Sequence, residues 1–387
     1  MPTPRSYPQK PAARRQQQRR STSWLNTVRL LLRLVVTGVG VAILTGTILR
    51  RYHPPTGGTV TALDESAAEA ASTSNHSPEA QLVGWITTTL GAGARLHGLE
   101  ARFQALAASQ PDLLVGAYVA VLEDGQHASL NPDRAMAAAS AIKTPILLLT
   151  LLARSQGDLR WDEPLQLQPH LVGGGSGWMG LEPPDSRFPL YMAAREMITV
   201  SDNTATNLLI ERLGGMETVN QRFLSLRLHG TRVNNWLPDL DGTNTTTPRD
   251  LALTLAMAEN NALLRQQDRD RFRVIHGASH TNSLLPLGFL QGLAGAGAAN
   301  VDQALIDHGV RILNKTGDIG TAYADAGIIE LPDGRRAVAA FLVEGTETTP
   351  YNSPRMRRLI QTMAAATAKT LREAHQPSAL AQSPNTP

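Results

Sequence analysis

Ser140 and Lys143 stand three residues apart in the stretch AAASAIKTPILLLTLL, residues 137–152, which is otherwise mostly apolar. On a helix that spacing places both side chains on one face. A serine at a helix N-terminus projects toward the positive end of the dipole. It becomes a nucleophile when a base takes its proton. A lysine can be that base when desolvation or a nearby positive charge lowers its pKa. The competing reading is a lysine that snorkels to water at the helix edge. An S-x-x-K pattern alone does not separate the two.

Two tripeptides do. Ser201-Asp202-Asn203 lies between two helical patterns, and Lys315-Thr316-Gly317 lies just before two strand patterns. A given tripeptide arises by chance in roughly one chain in twenty of this length. Two of them, in this order after S-x-x-K, form the signature of the serine β-lactamases and penicillin-binding proteins. The chain resembles that superfamily, and within it the class A β-lactamases, from about Gln81 to Ala374. SDNTATNLLIERLGG, NNWLPDLDGTNTTTPRDLA, TNSLLPLGF and NKTGDIG extend the resemblance beyond the three motifs.

The resemblance implies a role for each matching residue. Ser140 attacks a β-lactam or acyl-D-Ala carbonyl, Lys143 takes its proton, and Ser201 relays a proton to the leaving nitrogen. Asn203 binds the substrate amide. Lys315 and Thr316 hold the substrate carboxylate, and Gly317 and Asp318 complete the substrate-binding set. The backbone N–H groups of Ser140 and Asp318 form the oxyanion hole. Asp202 is expected to be structural. One departure matters. The class A pattern W-E-x-x-L-N carries the glutamate that activates the deacylating water, and here the stretch reads Trp236-Leu237-Pro238-Asp239-Leu240-Asp241. A leucine cannot be a general base. Asp239 and Asp241 are the substitutes at hand, with loop capping or surface charge as their ordinary alternative. Acylation is therefore expected, and release of the acyl group is expected to be slow.

Other signals are weaker. Gly175, Gly177 and Gly180 spell G-x-G-x-x-G, but Glu182-Pro183-Pro184 follows where a dinucleotide site needs a helix. The stretch reads as a loop, and Trp178 within it is a candidate edge of the substrate cleft or simple packing. His276 and His280 have i, i+4 spacing but lack a third ligand. No metal or cofactor is expected.

The elements that must position these residues can be read from periodicity. LHGLEARFQALAASQ is helical. LLVGAYVAVLEDGQHASL reads as a hairpin turning at Asp124–Gly125. The run after Ser140 is a helix ending near RSQG; MAAREMITV and NTATNLLIERLGG are two more, the second stopping at Gly214–Gly215. YADAGIIELPDGRRAVAAFLVEG reads as two strands around Pro332-Asp333-Gly334, and MRRLIQTMAAATAKTLREA as a closing helix. Strands at both ends with helices between predict a mixed α/β (α+β) fold. The resemblance makes it β-lactamase/transpeptidase-like: a mainly antiparallel sheet flanked by helices, plus an all-helical lobe.

Length and charge bound the rest. The 387 residues are 42% hydrophobic, enough for a large core. Residues 1–51 hold ten Lys/Arg and no acid; taking these ten from the formal net charge of +3 leaves −7 for the remainder. The basicity belongs to the tail, which removes the main support for a nucleic-acid partner. There is no cysteine, which excludes disulfides and thiolate metal sites. Residues 1–29 read as a disordered basic tail and 30–49 as a membrane-spanning run of about 20 residues. Residues 50–80 read as a linker, 81–374 as the compact domain and 375–387 as a loose tail. The excess of Lys/Arg before Leu30 predicts a cytoplasmic N-terminus, with the domain periplasmic or otherwise extracytoplasmic. A cleaved signal peptide is the alternative, though Arg50-Arg51 follow the run with no small-x-small site. The expected partners are a β-lactam or peptidoglycan peptide and, through the anchor, the membrane. A D,D-carboxypeptidase-like enzyme and a non-hydrolytic β-lactam- or peptide-binding protein are the rival functions.

Overall fold

The structure is a computed structural model and describes residues 83–373 apart from positions 85 and 89. The expected tail, spanning run and linker, and the loose C-terminal tail, lie outside the described residues. Among the described residues no helix is long and apolar enough to cross a membrane.

In chain order the elements are α1 (His97–Ala108), β1 (Leu113–Val121), β2 (His127–Leu130), β3 (Met136–Ala137), a 3₁₀ turn (Ala139–Ile142), α2 (Lys143–Gln156), β4 (Pro164–Gln166), β5 (Arg187–Pro189), α3 (Leu190–Thr199), α4 (Asn203–Arg212) and α5 (Gly215–Ser225). There follow β6 (Thr245–Thr246), α6 (Pro248–Glu259), α7 (Gln266–Gly277), α8 (Leu285–Ala294), α9 (Val301–Asp307), β7 (Arg311–Asp318), β8 (Ala322–Glu330), β9 (Arg336–Gly345) and α10 (Pro354–Glu373).

Five strands form an antiparallel sheet in the order β2-β1-β9-β8-β7, so the first hairpin and the last strands share one sheet as expected. Side chains alternate across it. Val115, Ala117 and Val119 join the core beneath α1, α8 and α10, whereas Tyr118 and Ala120 join the core shared with α2, α3, α4 and α6. The fold is therefore a mixed α/β arrangement with helices on both faces of the sheet and a helical lobe on one side. The lobe is built around α2. Ile146, Leu147, Leu148, Leu149, Leu151 and Leu152 are all buried there, each contributing about 1.5–3 kcal/mol. A helix apolar all round belongs in a core. It stops at Gly157, whose φ of 91° suits glycine.

β7 is an edge strand of the sheet, opposite β2. Its polar composition, RILNKTGD, hid it from periodicity reading.

Candidate active site

Ser140 sits in the 3₁₀ turn that leads into α2, one turn earlier than an α-helical reading places it. The residue before it, Ala139, has a φ of +45°, which a residue with a Cβ adopts only when its surroundings hold it there. Ala138 N–H donates to Asn244 O (2.8 Å), and β3 pairs with β6, so the turn is clamped from outside. On the other side lies β7. A Cβ on Gly317 would come within 2.9 Å of Ala138 O and Ala141 N, so only glycine lets this strand lie against the serine turn.

Lys143 is fully buried at the start of α2. Its Nζ lies 3.1 Å from Ser140 Oγ, 3.0 Å from Ser201 Oγ, 2.6 Å from Ser201 O and 2.8 Å from Asn203 Oδ1. Two of these four partners, the Ser201 carbonyl and Asn203 Oδ1, can only accept. The amide orientation is set by Asn203 Nδ2, which donates to Gly174 O (2.8 Å). A neutral amine has two N–H groups for those two acceptors and keeps its lone pair for a hydroxyl. Burial first, and then the charge of Lys315, push the Lys143 ammonium well below the usual lysine range, with Asp202 pulling the other way. The snorkelling alternative is thereby excluded: this lysine faces a serine, not water.

Ser201 and Asn203 are held by the residue between them. Asp202 caps α4 by accepting from Ala205 N (2.8 Å), and its other oxygen accepts from Trp178 N (2.7 Å) and Met179 N (2.9 Å). The glycine-rich loop is thus tied to α4. A Cβ on Gly177, where φ is +92°, would lie 2.1 Å from Asp202 Oδ2. Ser201 itself has a φ of +59°, which turns its carbonyl and its hydroxyl toward the same amine.

Lys315 is also buried, and its Nζ donates to Thr316 O (2.7 Å). Burial lowers it to about 8, against the pull of Asp325. Asp325, across the ladder from Thr316, is pushed up by burial to about 6; it accepts from Asn314 Nδ2 (2.8 Å) and Leu285 N (2.8 Å). Ser140, Ser201, Thr316 and Asp318 line one cleft of about 720 Å³. The structure therefore gathers Ser140, Lys143, Ser201, Asn203, Lys315, Thr316, Gly317 and Asp318 at one place.

Asp239 and Asp241 are not brought there. Asp239 is buried within its own loop, accepting from Thr243 Oγ1 (2.8 Å) and Asn244 N (2.6 Å), whereas Asp241 is exposed. Leu237 is 5% exposed, and both its backbone groups end on one side chain: its N–H donates to Asn207 Oδ1 (2.9 Å) and its carbonyl accepts from Asn207 Nδ2 (2.8 Å). Asn207 is one helical turn from Asn203, a spacing visible in the sequence but not used there. Trp178 is not among the residues lining the cleft. Its ring packs edge-on against Phe188, and its Nε1 donates to Glu196 (2.9 Å), so the packing alternative holds. His276 and His280 part company: His276 is fully buried and stacked on Phe272, and burial pushes it down to about 3, while His280 lines the cleft. Arg357 and Tyr323 also line the cleft, from α10 and β8, and escaped the sequence reading because no motif marks them.

Comparison with known proteins agrees with this geometry. The solved structure of PBP-A is 36% identical, with a TM-score of 0.65, over 73% of this chain and 98% of that one. A leucine-to-glutamate variant of PBP-A, in an acyl-enzyme complex with penicillin G, matches with the same identity and TM-score over 72% of this chain and 98% of that one. A β-lactamase of Streptomyces fradiae is 30% identical over 195 residues, which is 47% of this chain and 61% of that protein, so the chain spans less than two thirds of this relative. The model of the beta-lactamase enzyme family matches residues 98–371, well over half of the sequence, and the chain belongs to that family.

Proposed function

We propose that this protein is a serine acyl-transfer enzyme of β-lactamase type, acylated on Ser140 by β-lactams or related acyl-D-Ala compounds and slow to release the acyl group. The observation that carries the first half is the fully buried Lys143 with its Nζ 3.1 Å from Ser140 Oγ and its two N–H groups matched to pure acceptors. Ser140 Oγ attacks the lactam carbonyl carbon while its proton passes to Lys143 Nζ. The backbone N–H groups of Ser140 and Asp318 receive the oxyanion, a contribution of about 3–4 kcal/mol for a donor of this kind. The C–N bond then breaks as Ser201 Oγ hands a proton to the leaving nitrogen and recovers one from Lys143. Asn203 binds the substrate amide. Lys315 and Thr316 hold the substrate carboxylate.

Leu237 supports the second half. The class A pattern has a carboxylate at the position where this chain has the apolar Leu237, and neither Asp239 nor Asp241 joins the cluster. The same leucine favours a second reading, a penicillin-binding or D,D-carboxypeptidase-like enzyme acting on peptidoglycan peptides. The apolar run 30–49, with basic residues before it, supports a single-pass anchor that leaves the domain outside the cytoplasm.

Intact-mass spectrometry of the purified chain mixed with penicillin G tests the reading. A stoichiometric adduct on Ser140 that persists for minutes or longer is expected. Absence of any adduct, or rapid multiple turnover, overturns it.

A further inference from the structure

The cleft holds a charge pair that the chemistry above does not use. Asp318 follows K-T-G and, two residues on from Thr316 along β7, shares its face of the strand, about 7 Å away. Both side chains line the cleft. A carboxylate docked at Thr316 therefore feels the negative charge of Asp318. Asp318 Oδ1 accepts from Gly320 N (2.8 Å), and Oδ2 lies 3.8 Å from Arg357 Nη2. Arg357 lines the cleft wall in a fixed pose. Its Nη2 donates to Tyr323 Oη (2.8 Å), its guanidinium stacks 4.9 Å from the centre of the Tyr323 ring, and Tyr323 Oη donates to Asn352 Oδ1 (2.7 Å).

We propose that Arg357 acts on the substrate through Asp318, as a neutralising partner held in place by Tyr323. The balanced pair then makes the cleft a charge filter: it accepts a ligand with one carboxylate and discriminates against a second. This rests on the acylation of Ser140 proposed above. The contacts of Nη2 with Tyr323 Oη and, at 3.4 Å, Asn352 Oδ1 fix the guanidinium beside Asp318, where its charge can cancel that carboxylate. One uncompensated unit charge at about 7 Å, discounted for a half-exposed site, changes the rate of capture of an anion about 10-fold.

The test is the second-order rate of Ser140 acylation in the full-length chain. The probes are penicillin G, a penicillin with a second carboxylate in its side chain, and one with an ammonium there. Arg357→Gln should slow penicillin G about 10-fold, the doubly anionic ligand more and the zwitterion less. Adding Asp318→Asn, which keeps an acceptor for Gly320 N, should restore the rate. Arg357→Lys, which keeps the charge, should stay near the wild type. A double variant as slow as Arg357→Gln alone would show that the guanidinium binds the ligand itself and would overturn the proposal. Losses equal for all three ligands would do the same, since they mark a displaced strand rather than a charge. If no penicillin acylates the wild type, the proposed function fails first, and this inference with it.

Discussion

Two neighbouring regions, joined by the Ala138–Asn244 hydrogen bond, are built on opposite plans. Around Ser140, four polar groups converge on one buried amine: two hydroxyls placed to pass a proton and two pure acceptors that orient the amine between them. The loop from 232 to 245 is no less ordered, but its polar groups face inward. Asp239 holds Thr243 and Asn244; Asn244 Oδ1 accepts from Asn234 N and Asn235 N; the side chain nearest in sequence to the class A glutamate is Leu237. The first region spends its buried polarity on chemistry and the second on holding its own shape. Equal order does not mean equal chemical competence; what differs is where the donors and acceptors point.

The comparison breaks most sharply at Ser140. Ser140→Ala should abolish the covalent adduct while leaving the circular dichroism spectrum unchanged; labelling by a fluorescent penicillin in that variant would end the nucleophile assignment. Lys143→Ala should slow acylation by about 10²–10⁴-fold, the usual share of a general base. A stopped-flow rate within a few-fold of wild type would move the base elsewhere.

On the loop side, Leu237→Glu should speed release of the acyl group by about 10-fold or more, less than an ideally placed base supplies. The carboxylate would enter beside Asn207, one turn along α4 from the Asn203 that binds Lys143. The pair with Asp241→Asn removes a competing negative charge and should gain at least as much. Mass spectrometry of adduct decay decides, and unchanged decay in both variants sinks the account of slow release.

The pH profile sharpens the first region. Lys143 must be neutral to take a proton, and burial has already lowered it. Lys315 must be charged to hold a carboxylate, and it loses its proton near a pH of about 8. Acylation by a carboxylate-bearing penicillin should therefore fall as pH rises through that value, by up to about tenfold per unit. A rate that keeps climbing to pH 9.5 would remove the charge of Lys315 from substrate binding. The smallest effect on acylation is expected from Asp239→Ala. It should cost about 1–3 kcal/mol of stability through its orphaned partners and lower Tm, while the acylation rate stays within a few-fold.

The site was legible where chemistry is written in consecutive residues. S-x-x-K, S-D-N and K-T-G each occupy a single turn or strand end, so their spacing survives in one dimension. The hairpin at Asp124–Gly125, the stop of α2 at Gly157 and the final strands were legible for the same local reason. Tyr323 and Arg357 were not, because they reach the site only after β8 and α10 are packed; Asn207 had a local signal, its one-turn spacing from Asn203, that went unused. Trp178 stayed open between cleft wall and packing, because only the folded chain brings Glu196 and Phe188 against its ring. β7 was missed because an edge strand carrying Asn314, Lys315, Thr316 and Asp318 has no apolar alternation to read.

The closed shape of the loop beside Leu237 has a consequence for how such enzymes diverge. Arg232 and Thr245 bridge its two ends through paired backbone hydrogen bonds of 3.0 Å each. A segment whose ends already touch can be exchanged for another of similar length with little change in the entropy of closing it. On the function proposed above, the residues that capture a substrate and the loop that limits its release thus belong to different segments, of which the second can be exchanged. Grafting a glutamate-bearing loop between positions 232 and 243, which keeps the Asn244 and Thr245 backbone that clamps the serine turn, is expected to speed release while leaving that turn, α2 and β7 in place.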